Sequence, residues 1–597
     1  MSMARFYRVG SPYNGVELDE VDYEQSADTM YLAHLDHAPT KLLRYGHTDW
    51  RFVGITFGPT ISAPTGVTAS ATTPNTDDEN DGAAFFPQPA TYAVTALNEA
   101  TGQESRASDG STVSNDLTLK RNYNSLTWAA VEGATAYQVY RADNQLNYGY
   151  VGTTRGTSFT DDNIGPDLTR GPPQGSNPFA AAGDWPSTVA FFEQRLMWAR
   201  TRNAPNAVFG SKSGQANYEN HDAASPLKDS DALSLAIVSG RVNAVNQLVS
   251  LSSLLALTTD AIFNISGSGS DALTPTQINA RRQIGRGSSR LNPLIVDNVV
   301  FYRPSTGNAV RALNYSFEAD GFKSDDVSIF SPHFFDGFTI KSWAYAQEPN
   351  SLIWAVRNDG KLLCFTWEQE QQVWGWTLCE TDGEVDSVCS ISENGEDRLY
   401  LTVWRMIGGV RKLYIERMAS ARWATIGEAC FVDSGKTYQF DEPTTLILGL
   451  EHLEGRTVIA LVDGSVIENM VVQGGRLTLP TPGLLVTIGL PYTALIETLP
   501  LSIGADGTNI GKKQHVGEIV IRCVDTRGVL AGANEKNLFE IKPRGNESYG
   551  SPNRLMNGDY TLDSAPVAAE QSVAVLKMPY PLPATITGIL LDPTVTG

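Results

Sequence analysis

Leu352-Ile353-Trp354-Ala355-Val356-Arg357, then Asn358-Asp359-Gly360, then Lys361-Leu362-Leu363-Cys364-Phe365-Thr366-Trp367 reads as two apolar strands joined by a tight polar turn. The same unit recurs on both sides. Toward the N terminus the strand pairs are 299–303 with 310–317, 254–258 with 261–266, 195–199 with 207–211, and 30–34 with 41–45. Toward the C terminus the pair is 398–406 with 410–418, where Gly408-Gly409 supplies the turn. Once one insertion is removed, the six pairs recur at roughly 45–58 residues, the period of a β-propeller blade. The fold class expected is therefore mainly β. A propeller-like core carries an inserted β-sandwich and is followed by a C-terminal antiparallel β region.

The composition agrees. The chain has 597 residues, too many for one ordinary core, and 41% of them are hydrophobic. Thr, Ser, Val and Gly are plentiful, which favours strands, and helix signals are scarce. Formal net charge is −21, from 45 Lys+Arg against 66 Asp+Glu. An acidic surface aids solubility and argues against gripping a polyanion, because phosphate neutralisation needs clustered cations. Five cysteines, at 364, 379, 389, 430 and 523, contain no CxxC pair and fit reduced thiols, with a Cys379–Cys389 pairing left open. Arg5 and Arg8 are followed by no apolar run, and no stretch of 18 apolar residues occurs. The expectation is synthesis in a cytoplasm without stable membrane association.

Five segments are expected. Residues 1–62 form the first blade segment, and 63–173 an inserted sandwich bounded by Ala63-Pro64 and Gly171-Pro172-Pro173. Residues 184–440 carry the remaining blades, 441–530 a small antiparallel domain, and 531–597 C-terminal strands that close the propeller against the N-terminal strand. Trp343, Trp354, Trp367, Trp374, Trp376 and Trp404 are expected to pack between blades.

The chemical motifs are weak. Ser434-Gly435-Lys436-Thr437 lacks the upstream glycine of a phosphate-binding loop, since position 430 is Cys430. The acidic run Asp77-Asp78-Glu79-Asn80-Asp81-Gly82 has Gln88 where a calcium loop needs a bidentate Glu. His34 and His37 flank Asp36, but on one strand they face opposite sides, and Pro39 argues for a turn. Glu368/Glu370 and Asp325/Asp326 pair carboxylates without a cleft to span. No GxSxG or HExxH motif occurs. No catalytic, cofactor or metal residue is assigned, no residue is assigned to a channel wall, and the chain is not expected to be an enzyme.

Several stretches carry a family resemblance. They are Asn314-Tyr315-Ser316-Phe317-Glu318-Ala319-Asp320-Gly321, the run 344–354 leading into Asn358-Asp359-Gly360, and Glu370-Gln371-Gln372-Val373-Trp374-Gly375-Trp376. Gly449-Leu450-Glu451-His452-Leu453-Glu454-Gly455, Gly489-Leu490-Pro491-Tyr492-Thr493 and Glu497-Thr498-Leu499-Pro500-Leu501 continue it. As a set, over about residues 20–60 and 185–530, they resemble the tail nozzle (tail hub) proteins of short-tailed bacteriophages. The insertion, through Leu126-Thr127-Trp128 and the run 133–141, resembles a fibronectin type III domain. The resemblance implies a homohexameric ring at the distal tail of a virion. An adaptor protein would sit above it, fibres or spikes would attach at its flank, and double-stranded DNA would pass through without specific binding. Two other classes stay open: a receptor- or polysaccharide-binding tail protein, and a propeller glycan depolymerase. A structural component elsewhere in the virion is a third.

Overall fold

A computed structural model describes residues 7–76, 84–143, 147–240, 243–267, 272–318, 320–500, 512–541, 552–563 and 573–596. The acidic run 77–82 and the N-terminal residues 1–6 lie outside them. The structure is mainly β: the described residues hold antiparallel sheets, four short 3-10 turns and no α-helix. No helix among them is long and apolar enough to cross a membrane. The chain divides into two compact units, Met1–Pro332 and His333–Gly597.

The first unit contains four meanders of four strands each. The first sheet is Asp22–Ser26, Thr29–His34, His37–Gly46 and Asp49–Gly54, hydrogen-bonded in chain order. The second is Thr188–Phe192, Arg195–Ala199, Ala207–Gly210 and Leu233–Ala236, and the third is Val245–Ser250, Leu254–Thr258, Ile262–Ser266 and Asn279–Ile284. Leu294–Val296, Val299–Tyr302, Arg311–Ser316 and Gly321–Asp326 form the fourth. Every strand pair read in the sequence within this unit is the central pair of one sheet.

Stacking explains why those pairs read as apolar runs rather than as alternating ones. Tyr31 and Ala33 of the first sheet share a core with Leu196 and Trp198 of the second. Met197 and Val208 of the second meet Leu254 and Ala256 of the third, and Leu255 and Leu257 of the third meet Val300 and Leu313 of the fourth. A central strand with a sheet on each side buries both faces, so Arg195–Ala199 and Leu254–Thr258 are buried at every position. The approach is close at Gly287, where a Cβ would stand 1.9 Å from the Thr259 carbonyl oxygen. Only glycine fits there.

Between the first and second sheets the chain makes two further sheets. Gln88–Asn98 is central to one, with Ala136–Asp143, Gly149–Thr154, Gln103–Glu104 and Ser111–Asn115. Tyr123–Thr127 is central to the other, between Ser158–Asp161 and Thr68–Thr72. Tyr92, Val94 and Val139 of one pack with Leu126 of the other and with Trp128, whose ring meets Tyr137 edge-on at 5.4 Å.

The second unit opens with two more meanders. Ile340–Ala346, Leu352–Arg357, Leu362–Glu368 and Val373–Cys379 form one, and Glu384–Glu393, Glu396–Ile407 and Val410–Arg417 the other. Trp354 and Val356 of the first share a core with Val388 and Val403 of the second. Trp343, Trp354 and Trp367 are buried as expected, but Trp374 is 45% exposed because Val373–Cys379 is an edge strand. All five cysteines are free, and Cys379 and Cys389 lie in different sheets.

The C-terminal region departs from the expected boundaries. Asp433–Leu448 runs straight through 440/441 and pairs with Arg476–Leu490, itself paired with Thr457–Val462 and through it with Ser465–Val471. Structure also crosses 530/531. Ala494–Glu497 pairs with Val575–Met578, in a sheet completed by Leu530–Asn534 and Asn537–Glu540, while Lys513–Thr526 lies between Met556–Asp563 and Thr585–Thr596. The final strand bonds to Lys513–Thr526. Ile519 and Ile521, fully buried on Lys513–Thr526, supply the reason: the last strand completes the cover of that local core.

Candidate functional site

The sheets of the first unit meet through a polar cluster at their opening strands. Polar side chains stand at or near the first strand of each: Asp22 and Thr188 open theirs, Asn246 and Gln247 are the second and third residues of Val245–Ser250, and Asn292 precedes Leu294–Val296. Asp22 is 5% exposed, and its carboxylate accepts the Val189 and Tyr23 N–H groups and the Asn292 side-chain amide, each at 3.0 Å. The Gln247 amide donates to the Asn292 side-chain oxygen at 2.7 Å and to the Arg290 carbonyl at 2.9 Å, and the Thr188 hydroxyl donates back to Gln247 at 3.3 Å. Asn246 donates to the Ser288 carbonyl at 2.6 Å and accepts from Arg200. One network thus links elements of all four sheets, the residue type that a buried junction of backbone ends requires.

Arg290 pairs with Glu20 at 2.9 Å. Burial lifts the Asp22 carboxyl to about 6 against the pull of its donors. Burial, then the neighbouring Asp22 charge, lifts Glu24 to about 7. Asp22 has three donors on two oxygens and is buried, so it is a held group rather than an exposed acid or base. The cluster can join sheets and present carboxylates; it does not aim a nucleophile.

The motifs singled out in the sequence lie elsewhere. Ser434-Gly435-Lys436-Thr437 is in the strand Asp433–Leu448, with Lys436 donating to the Gly449 carbonyl at 2.9 Å and Thr437 bonded to Thr487. Glu368 ends one strand and Glu370 lies in the turn after it, both exposed. Asp325 and Asp326 are successive residues of Gly321–Asp326 and face opposite sides, with Asp326 near Arg311 at 3.8 Å.

His34 and His37 correct the sequence reading. Leu35-Asp36 forms a two-residue turn, so the histidines are a cross-strand pair with ring centroids 5.0 Å apart, and Pro39 continues the strand. Tyr13 packs on both rings, and His37 Nε2 lies 3.1 Å from Glu17. His34 Nδ1 accepts the Asp36 N–H, and burial pushes its pKa down. Among the described residues no three His, Cys, Asp or Glu side chains gather as a metal site. Sequence reasoning missed the Asp22 cluster, whose members lie up to 270 residues apart.

No family model matches the chain, and no curated protein does. Solved structures with similar strand arrangement include a luciferin-regenerating enzyme, at 7% identity and TM-score 0.21, covering 51% of this chain and 90% of that one. A protein from Lactobacillus plantarum is another, at 8% identity and TM-score 0.25, covering 67% of this chain and 99% of that one. Likeness at this level carries no argument about activity.

Proposed function

We propose that this protein is a structural virion component, the nozzle at the distal tail of a short-tailed bacteriophage. In this reading the six meanders are blades of one propeller, and residues 63–173 are a fibronectin type III-like insertion. Six copies unite into a ring. An adaptor protein binds above it, fibres or spikes attach to it, and the genome leaves through its lumen. The chain is made in the host cytoplasm and makes no stable membrane association.

The observation that supports it best is the order of the sheets. Among the described residues six antiparallel meanders follow one another along the chain, with two further sheets packed on each other inserted after the first. Sheets stacked through tight apolar cores make a stiff block, suited to assembly. The runs 314–321, 344–354, 370–376, 449–455, 489–493 and 497–501 add the resemblance to nozzle proteins. Six copies at −21 carry a formal charge of −126, which repels passing phosphates and keeps DNA from sticking. Asp22 and its neighbours then act as a junction between blades, not as a reacting group.

Native mass spectrometry of the purified chain, followed by imaging of the labelled particle, tests the reading. A six-membered ring at the tail tip is the expected result. A stable monomer that releases sugars from host capsule, or a ring of three or twelve, would overturn it, as would a lumen lined mainly by Lys and Arg.

A further inference from the structure

The chain enters its first sheet through a short strap. Residues 13–21 make a turn and the 3-10 stretch Leu18–Glu20, then run into the strand Asp22–Ser26. The strap is closed by its own side chains. Asn14 Oδ1 accepts the Val16 and Glu17 N–H groups at 2.9 and 3.2 Å, and Glu17 Oε2 accepts the Asn14 N–H at 2.9 Å. It is tied to the hairpin that joins Thr29–His34 to His37–Gly46. The Tyr13 ring lies 5.9 Å from the His34 ring and 5.0 Å from the His37 ring, centroid to centroid. Glu17 Oε2 also lies 3.1 Å from His37 Nε2.

His34 is 2% exposed, and its ring is committed to one protonation state. Nδ1 accepts the Asp36 N–H at 3.1 Å and closes the Leu35-Asp36 turn. A ring nitrogen that accepts an N–H carries no proton, so the neutral ring has its hydrogen on Nε2. Nε2 is buried with no hydrogen-bond partner among the described residues. A second proton turns Nδ1 from acceptor into donor, facing an N–H, and puts a cation out of water. Protonation therefore costs either the turn or the burial. The surrounding charges do not reverse this. Asp36, Glu20 and Glu17 favour a charged His34, but Asp36 is paired with Arg202 and Glu20 with Arg290. Burial, then the His37 charge, outweighs them and pushes the His34 pKa down. Tyr13, also in contact, stays neutral, because burial raises its pKa.

We propose that residues 13–21 are an acid-released strap: protonation of His34 breaks the Leu35-Asp36 turn, displaces Tyr13 and frees the segment from the first sheet. His34 is the sensor, and His37 is the clasp that holds Glu17. The strap ends beside Asp22, where the four sheets of the first unit are joined. The sign follows from the lowered pKa. A released His34 takes up its proton near the ordinary value of about 6.5, and the buried one only at lower pH. The closed form is therefore favoured above about pH 6.5 and loses that advantage as pH falls below it, by at most about tenfold in the opening constant per pH unit. The device stands whether or not the chain assembles into a ring.

The test uses the full chain at constant ionic strength. Amide hydrogen exchange, corrected for its intrinsic pH dependence, is read by mass spectrometry on peptides covering 13–21 and 31–40. His34→Asn is the key variant: Asn Oδ1 takes the place of Nδ1 as acceptor for the Asp36 N–H and cannot be protonated. The two proteins should be equally protected at about pH 7.5, and at about pH 5.5 the wild-type strap should open about three- to tenfold more readily than the variant. Asp22 and Glu24 titrate in this range with the opposite sign, and comparison at matched pH removes them. His37→Gln keeps a donor for Glu17 without the charge and should leave the rise in place. If His34→Asn does not fold, deuterium exchange at the imidazole C2 of wild-type His34 decides, because its titration midpoint should fall below about 6.5 and coincide with strap opening. An equal rise in His34→Asn, no rise in the wild type, a rise lost in His37→Gln, or a His34 midpoint unrelated to opening would overturn the proposal.

Discussion

Asp22→Asn isolates the balance between burial and hydrogen bonding at the junction of the first unit. The wild-type carboxyl is lifted from an ordinary 3.8 to about 6, burial outweighing the N–H donors that favour its charge. A carboxyl whose folded pKa is raised binds its proton more tightly in the folded state. Its contribution to stability is then fully present below the unfolded pKa and is lost as pH rises through about 6. A shift of about two units corresponds to about 3 kcal/mol over the full range, of which about 2 kcal/mol falls between about pH 4.5 and about pH 7.5. Asparagine cannot titrate, so the difference between the two proteins carries this term, with a smaller one from Glu24, which burial and then the Asp22 charge raise. Hydrogen exchange read by mass spectrometry on peptides from Asp22–Ser26 and Thr188–Phe192, at matched pH, measures it locally. Wild-type protection relative to the variant should fall by about 2 kcal/mol on going from the lower to the higher pH. A difference flat with pH, or one that grows as pH rises, would refute the reasoning. It would mean that Val189, Tyr23 and Asn292 hold the carboxylate charged despite its burial.

Three further outcomes follow from the packing. Trp198 is fully buried among Phe57, Phe179 and Leu196, so Trp198→Ala should destabilise the first unit by about 3–5 kcal/mol in urea unfolding, and a loss below about 1 kcal/mol would contradict that core. Arg405, 3% exposed, neutralises Glu416 and Asp433, so Arg405→Met should cost about 3 kcal/mol by stranding two carboxylates. Adding Glu416→Gln should recover part of that loss in a double-mutant cycle. Iodoacetamide on the native protein should label exposed Cys389 well before Cys364 and Cys430, whose thiols burial pushes up to about 12. Equal labelling by peptide mapping would contradict the burial.

The six strand pairs were legible because each is a local event. An apolar run, a Gly- or Asp-bearing turn and a second run lie within some twenty residues, and pairing in register follows from the turn. The pair 352–357 and 361–367 is the clearest, with Gly360 at φ +80° in the turn between them. Charge, cysteine usage and the scarcity of helices were likewise fixed by composition.

Tertiary structure decided the rest. Asp22, Thr188, Gln247 and Asn292 are up to 270 residues apart, and no local pattern marks them as partners; stacking of sheets brings them together. The same holds for the last strand, whose pairing is set by the buried face of Lys513–Thr526. Arg527 is buried beside a cavity only by the fold. Strand formation depends on neighbours along the chain. Convergence of polar groups depends on which apolar faces seal against each other, a choice made only when the whole core closes.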